Sequence, residues 1–111
     1  MTEVRTDLLQ GTLDLLILRT LTLEPQHGWG IARRIHQLTR GIFDVKPGSM
    51  FPALKRLEER GWIVSEWAES ENKRQAKYYK LTRSGRRHLD EALEHWQRVA
   101  TAIGWAIEAT S

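Results

Sequence analysis

The chain has 111 residues, a length that suits one domain, and carries 17 Lys and Arg against 14 Asp and Glu, for a net charge of +3. It contains no cysteine, which excludes disulfides and cysteine-bound metals and is typical of a reducing compartment. The first residues lack the pattern of a secretory signal, and the apolar stretch 8–23 is interrupted by charges and is too short to cross a bilayer. We therefore expect a cytoplasmic protein without a membrane segment.

Apolar residues at helical spacing predict a first helix over residues 8–22. Leucines lie on more than one side of this helix, which in a small protein indicates burial against a second subunit. A turn over residues 24–28 leads into a second helix over about residues 28–39, which stops at Gly41. Residues 42–45 are expected to form a short linker or an edge strand.

The segment 46–64 is the most informative part of the chain. Three apolar residues share one stripe of a predicted third helix, at i, i+4 and i+7: Met50, Leu54 and Leu57. Ser49 is the predicted N-cap, with Pro52 in the first turn, and Gly61 fits the left-handed position that ends a helix. A basic helix that passes directly into a strand is typical of the recognition helix and wing of a DNA-binding winged helix.

Two short strands around a polar tip, over residues 62–67 and 76–81, predict a β-hairpin. Thr82 can then cap a long last helix. Along that helix an apolar seam repeats at alternating spacings of four and three residues: Leu89, Leu93, Trp96, Ala100, Ile103 and Ile107. Such a seam needs a partner, and the simplest partner is the same helix of a second copy, packed with the first helix.

The predicted fold is therefore mainly α with a small β-hairpin, in one compact unit. A winged helix-turn-helix domain covers residues 1–82, and a dimerisation helix covers residues 83–111. Fourteen of the 17 cations lie in two blocks, at residues 27–60 and 73–87, which contain the predicted recognition helix and wing. We expect the two blocks to form one face for phosphates, the alternative being two ordinary solvated faces.

The chain resembles the PadR family of bacterial transcriptional regulators over nearly its whole length, because of the order and spacing of four stretches. These are Leu-Leu-Gln-Gly-Thr-Leu-Asp-Leu-Leu-Ile-Leu (8–18), His-Gly-Trp-Gly-Ile (27–31), Gly-Ser-Met-Phe-Pro-Ala-Leu-Lys-Arg-Leu-Glu-Glu-Arg-Gly-Trp-Ile (48–63) and Lys-Tyr-Tyr-Lys-Leu-Thr-Arg-Ser-Gly (77–85). The single C-terminal helix is similar to that of the short subgroup of the family.

This resemblance implies a homodimeric repressor on a near-palindromic operator, with the third helix in the major groove and the wing on the backbone or minor groove. It also implies that the first and last helices build the dimer. Met50 and Phe51 stand where the family usually has Leu and Tyr, and Trp29 stands where Tyr is common. Phe51 lacks the phenol hydroxyl, so any hydrogen bond made there to phosphate or base is lost.

The expected DNA contacts come from the third helix and from both cation blocks. Five candidates for the major groove are Ser49, Phe51, Pro52, Lys55 and Arg56, because cations can donate to guanine and an apolar edge can touch a thymine methyl. Phe51 has the alternative of being a core aromatic, and the two cations that of being simply solvated. The candidates for phosphate contacts are Lys46, Arg33 and Arg34 beside the helix, and Lys73, Arg74, Gln75 and Lys77 on the wing.

The expected dimer interface combines three leucines of the first helix with the seam of the last one. Its residues are Leu9, Leu13, Leu16, Leu89, Leu93, Trp96, Ala100, Ile103 and Ile107. Two copies of Trp96 facing each other near a two-fold axis would form either a slot for a planar apolar effector or a filled core. In part of the PadR family a tryptophan at the matching place serves a multidrug-binding pore.

Other kinds of site are not indicated. The four histidines, at positions 27, 36, 88 and 95, have no metal-ligand spacing, and we find neither a glycine-rich phosphate loop nor a Ser/His/acid set. We therefore expect no cofactor and no enzyme activity. The main alternative to a DNA-binding regulator is a winged helix that contacts another protein, in which case the two basic blocks would face apart.

Overall fold

A computed structural model describes the backbone of residues 6–110 and the side chains of residues 11–109, so the side chain of Leu9 lies outside the described part. Four helices and three strands follow one another along residues 6–110. They are α1 (Thr6–Leu21), β1 (Gln26–His27), α2 (Gly28–Leu38), α3 (Pro47–Glu59), β2 (Ile63–Glu69), β3 (Gln75–Leu81) and α4 (Arg83–Thr110). The predicted fold class is confirmed, and the ends of the predicted elements differ from the observed ones by at most three residues.

The sheet has three antiparallel strands in the order β1-β3-β2. Strands β2 and β3 form the predicted hairpin, with Ile63 opposite Leu81 and Glu69 opposite Gln75. The sequence did not predict β1, because a strand of two residues is too short to show alternation; it pairs Gln26 with Tyr79 and His27 with Tyr78. Of the two alternatives for residues 42–45, the structure shows the linker and not the edge strand, since that segment is irregular.

The core lies where α1, α2 and α3 meet the base of the hairpin. Its fully buried side chains include Ile17, Ile31, Ile35, Met50, Leu54, Leu57 and Ile63. Leu13 and Leu89 are each only 2% exposed within the single chain. Both side chains fill the core of a single protomer. We had expected a second subunit to cover them.

The start of α3 differs from the prediction, and its end confirms it. The N-cap is Lys46, without a side-chain hydrogen bond, and Pro47 begins the helix, so Ser49 is not the cap and Pro52 lies inside the helix. Because Pro52 has no N–H, the carbonyl oxygen of Gly48 lacks its helical hydrogen bond. Gly48 is exposed, so water can donate to that oxygen instead. At the other end Gly61 has φ +75°, and Trp62 N donates to Leu57 O as in a Schellman motif.

Helix α4 begins at a junction that ties it to the end of α3. Thr82 Oγ1 accepts from Gly85 N at 3.0 Å, as predicted for a cap, and donates to the carbonyl oxygen of Gly61 at 2.7 Å. The first turns of α4 pack on α1 through Leu89 and the half-buried Leu93. Beyond them the helix continues to residue 110 with most of its described side chains exposed.

Candidate nucleic-acid interface

The outward side of α3 carries Phe51, Pro52 and Lys55, all exposed, opposite the buried stripe that packs on the core. Ser49 is half-buried near the start of the helix. Phe51 is 43% exposed, so it is not a core aromatic. Side chains that project from one side of a helix in this way are those that can reach base edges in a major groove.

A cleft of about 590 Å³ separates the starts of α2 and α3 from the wing tip. Its walls include cations from both blocks of the sequence: Arg33 from the first, and Arg74 and Lys77 from the second. A second hollow, of about 520 Å³, lies between Lys55 and Lys77 along the outward side of α3. Cations of both blocks, Arg33 and Lys55 from the first and Arg74 and Lys77 from the second, therefore line two neighbouring hollows, together with Glu58, Glu59 and Glu71.

Arg56 has a different position from the other predicted contacts on α3. Its guanidinium lies 2.8 Å from Asp14 Oδ1 of α1, and both side chains are half-buried. Burial raises the pKa of Asp14 above its usual value, although the hydrogen bond and charge of Arg56 act in the opposite direction. In the free chain Arg56 therefore joins α3 to α1 and does not contribute to the cleft wall.

Four further cations that we predicted as phosphate contacts are paired with acids, one of them Arg33, which lies 3.7 Å from Glu71. Lys46 Nζ lies 2.7 Å from Asp44, Arg34 lies 2.9 Å from Glu24, and Lys77 lies 3.7 Å from Glu58. The hydrogen bond from Lys46 holds the pKa of Asp44 below its usual value. Exposed pairs of this kind are worth little in water, so phosphates can compete for the cations.

The wing tip is a short turn that projects its polar side chains. Lys73 N donates to Ser70 O, Ser70 N donates to Arg74 O, and Lys73 has a left-handed φ of 59°. This is the geometry of a three-residue hairpin loop that closes on a left-handed residue. Lys73, Arg74 and Gln75 are all exposed there, so the tip presents two cations and an amide to solvent.

Sequence reasoning missed two exposed tryptophans in the cleft wall. Trp29, at the start of α2, is 63% exposed and meets the ring of Phe51 edge-on, with 6.5 Å between centroids. Trp67 of β2 is 67% exposed and lines the opposite wall. Trp29 directly follows His27-Gly28 and carries no periodic signal, and nothing in the sequence around Trp67, at the end of a short strand, marks it as exposed.

The second half of α4 presents an exposed apolar side in the single chain. Its exposed members are Trp96, Val99, Ala100, Ile103 and Ile107. Half-buried Leu16 lines a hollow of about 280 Å³ between α1 and α2, together with exposed Leu23 and Leu38. Contiguous exposed apolar side chains are typical of subunit contacts.

Within residues 6–110, no helix is long and apolar enough to cross a membrane. Among the described side chains, no group of three or more His, Cys, Asp or Glu is placed to hold a metal ion.

A helix with a basic and aromatic outer side, a hairpin with a cationic tip and a cleft between them define a winged-helix DNA-binding protein. The model of the PadR-like family of transcriptional regulators matches residues 17–91. The chain belongs to this family, whose members are regulators of transcription and not enzymes.

Three relatives illustrate the similarity. A transcriptional regulator from Clostridium thermocellum superposes with a TM-score of 0.80 at 27% identity, over 89% of this chain and 96% of that one. A PadR family transcription regulator from Clostridium difficile superposes with a TM-score of 0.76 at 29% identity, over 86% of this chain and 97% of that one. The transcriptional regulator YqjI of Escherichia coli is 31% identical over 93 residues, which are 84% of this chain but only 43% of that protein.

Proposed function

We propose that this regulator is a repressor that binds a near-palindromic operator as a homodimer. Helix α3 enters the major groove, where Phe51, Pro52 and Lys55 contact base edges, and the wing tip lies on the backbone. The observation that carries this proposal is the cleft beside the outward side of α3, whose walls include Arg33, Arg74 and Lys77. Phosphate contacts from both blocks would fix the register of α3 on the duplex.

Dimerisation is supported by the apolar side of α4. In a two-fold dimer, the Trp96–Ile107 part of one α4 would cover the hollow near Leu16 of the partner, or pack on the partner's α4. Burial of apolar surface is the main favourable contribution to most protein association, so this side of α4 favours a partner. Two copies would then present two α3 helices about one duplex turn apart, the spacing that a palindromic operator requires.

An effector would act through the same helices. Trp96 is 54% exposed on α4, and two copies near the two-fold axis offer flat apolar faces to a planar aromatic compound. A compound held there would shift the two α4 helices and so change the separation of the two α3 helices. Quenching of fluorescence by a planar aromatic cation tests this, with Trp96→Ala as the variant. Unchanged emission, or an affinity that Trp96→Ala leaves intact, contradicts the effector site.

DNA binding through the cleft is tested by titrating a labelled random duplex at low salt. Lys77→Ala in the cleft wall and Lys55→Ala in the adjoining hollow on the outward side of α3 should each weaken binding. Lys80→Ala should change it less, because Lys80 is an exposed cation on β3 that does not line the cleft. Equal losses for Lys77→Ala and Lys80→Ala would argue against the cleft as the binding surface.

The dimer is tested by equilibrium sedimentation, which should return twice the 12.9 kDa of one chain. Ile103→Asp places a charge on the apolar side of α4 and should give monomers. Thr101→Asp places the same charge on another side of that helix and should leave the dimer intact. A wild-type monomer at micromolar concentration would contradict the proposal.

The alternative, a winged helix that contacts only another protein, predicts basic blocks that face apart. The shared cleft of Arg33, Arg74 and Lys77 disfavours this alternative.

A further inference from the structure

Glu71, an acidic residue in the wing-tip turn, bends back towards the start of α2. Its Oε1 lies 3.5 Å from His27 Nε2 and 3.7 Å from the guanidinium of Arg33. All three residues line the cleft that we assign to DNA. A carboxylate is therefore placed against two nitrogen donors on the surface where the backbone of a duplex is expected.

The direction of the His27 ring is fixed by its role in α2. His27 is the N-cap of that helix, and its Nδ1 accepts from Gly30 N at 3.0 Å. Since Nδ1 is the acceptor, the proton of a neutral ring is on Nε2, which faces Glu71. The ring is buried and meets Tyr78 edge-on at 5.3 Å, so Nε2 keeps its direction towards the cleft when Glu71 moves away.

Glu71 itself is free to leave. Its side chain and that of Arg33 are both more than half exposed, and the wing-tip turn closes through backbone hydrogen bonds at Ser70, Lys73 and Arg74 that do not involve the carboxylate. The pKa of Glu71 lies below its usual value because its own backbone N–H, His27 and Arg33 all favour the charged form. At neutral pH the carboxylate is therefore charged, and a competing anion can displace it from His27 and Arg33 because the Glu71 side chain is exposed.

A phosphodiester oxygen and a carboxylate oxygen accept hydrogen bonds from the same donors. We propose that Glu71 occupies a backbone-phosphate site made by His27 and Arg33, and that a DNA phosphate displaces it on binding. This rests on the proposed function, because the phosphate is that of the duplex held in the cleft. Glu71 thereby weakens binding to any sequence and limits occupancy of non-specific DNA.

Removing the internal competitor should tighten binding. Exposed ion pairs contribute little in water, so Glu71→Gln should bind a random duplex about two- to five-fold more tightly than the wild type at low salt. The gain should shrink as salt rises, because screening weakens the Glu71 pair. Glu69→Gln is the matched control, since it removes the same charge from an exposed position of the same hairpin.

The test measures fluorescence anisotropy of a labelled random duplex with the wild type, Glu71→Gln, Glu69→Gln, Arg33→Gln and the double variant Glu71→Gln with Arg33→Gln. Circular dichroism confirms that each variant is folded. The proposal predicts that Glu71→Gln gains more affinity than Glu69→Gln, and that this gain is smaller when Arg33 is already absent.

Three results would overturn it. A Glu71→Gln variant that binds more weakly than the wild type would make Glu71 a residue that orients the wing. A gain no larger than that of Glu69→Gln, or one unchanged without Arg33, would reduce it to a general effect of net charge. If the wild type does not bind the duplex at all, the proposed DNA-binding function is contradicted, and the phosphate site that rests on it is contradicted as well.

Discussion

The imidazole of His88 stacks on the indole of Trp62, with ring centroids 3.6 Å apart and planes inclined by only 10°. Trp62 lies between the end of α3 and the start of β2, and the guanidinium of Arg60 lies 5.1 Å from the centroid of the same indole. His88 belongs to α4, the helix that carries the exposed apolar side. The stack therefore joins the helix of the proposed dimer contact to the base of the wing and the end of α3.

Replacing His88 by Ala should lower the free energy of unfolding by about 1 kcal/mol, because a stacked pair of this geometry contributes about 0.5–1.5 kcal/mol beyond its buried area. His88→Phe keeps a flat ring and should retain most of the stability. Urea denaturation at one fixed protein concentration measures both. If His88→Phe lowers the free energy of unfolding as much as His88→Ala does, the stacking of the rings is not the source of the stability.

Gly85→Ala should destabilise the protein by about 2 kcal/mol or more, since a methyl group there would overlap the carbonyl oxygen of Trp62, a backbone atom that cannot move aside cheaply. Gly48→Ala is the control, because nothing lies within 4 Å of the added carbon at that position. Thermal unfolding should separate the two variants clearly. A Gly85→Ala protein as stable as Gly48→Ala would contradict the close packing of α4 on Trp62.

The pKa of Asp14 is raised by burial, so the folded chain binds this proton more readily than the unfolded chain does. Ionisation of Asp14 therefore opposes folding above its folded-state pKa, and this unfavourable contribution disappears as the pH falls through that value. Relative to Asp14→Asn, the wild type should gain stability as the pH is lowered from neutral towards about 4. Denaturant titrations at both ends of this range measure the difference.

An NMR titration of the Asp14 carboxyl checks the cause directly, with an expected midpoint above 3.8. A midpoint below this value would mean that the contact with Arg56 outweighs burial.

Lys73→Ala combined with Arg74→Ala should weaken binding to operator and to random DNA by about the same factor. Both residues are at the exposed wing tip, where contacts to phosphates position the protein without reading bases. The salt dependence of binding should also become shallower, because fewer counterions are released. Anisotropy titrations on both duplexes over a range of salt concentrations test this. A loss confined to the operator would show that the tip reads sequence.

The periodicity of apolar residues in the sequence predicts most of the helices and strands of the fold. The spacing of Met50, Leu54 and Leu57 defined the buried side of α3, and Gly61 marked its end, because both depend on local geometry. The start of α3 was misjudged since Ser49 and Pro47 are both acceptable near a helix N-terminus, and side-chain preference alone does not decide between them.

The candidate site was harder to predict because its chemistry depends on contacts between distant segments. Nothing near Arg56 in the sequence indicates that Asp14, 42 positions away, holds its guanidinium. Glu71 was seen only as part of a polar tip, although the fold brings it to His27 and Arg33. Charge blocks locate a binding face, but which cations are paired with acids follows from the packing of the elements.

Hydroxyl-radical footprinting on an operator selected from a random pool tests the central claim most directly. Two copies that each insert α3 into the major groove should protect two symmetric segments, centred about 10 base pairs apart. A single protected segment, or protection without two-fold symmetry, would contradict a homodimer that grips the duplex with the α3 and wing surfaces of both protomers.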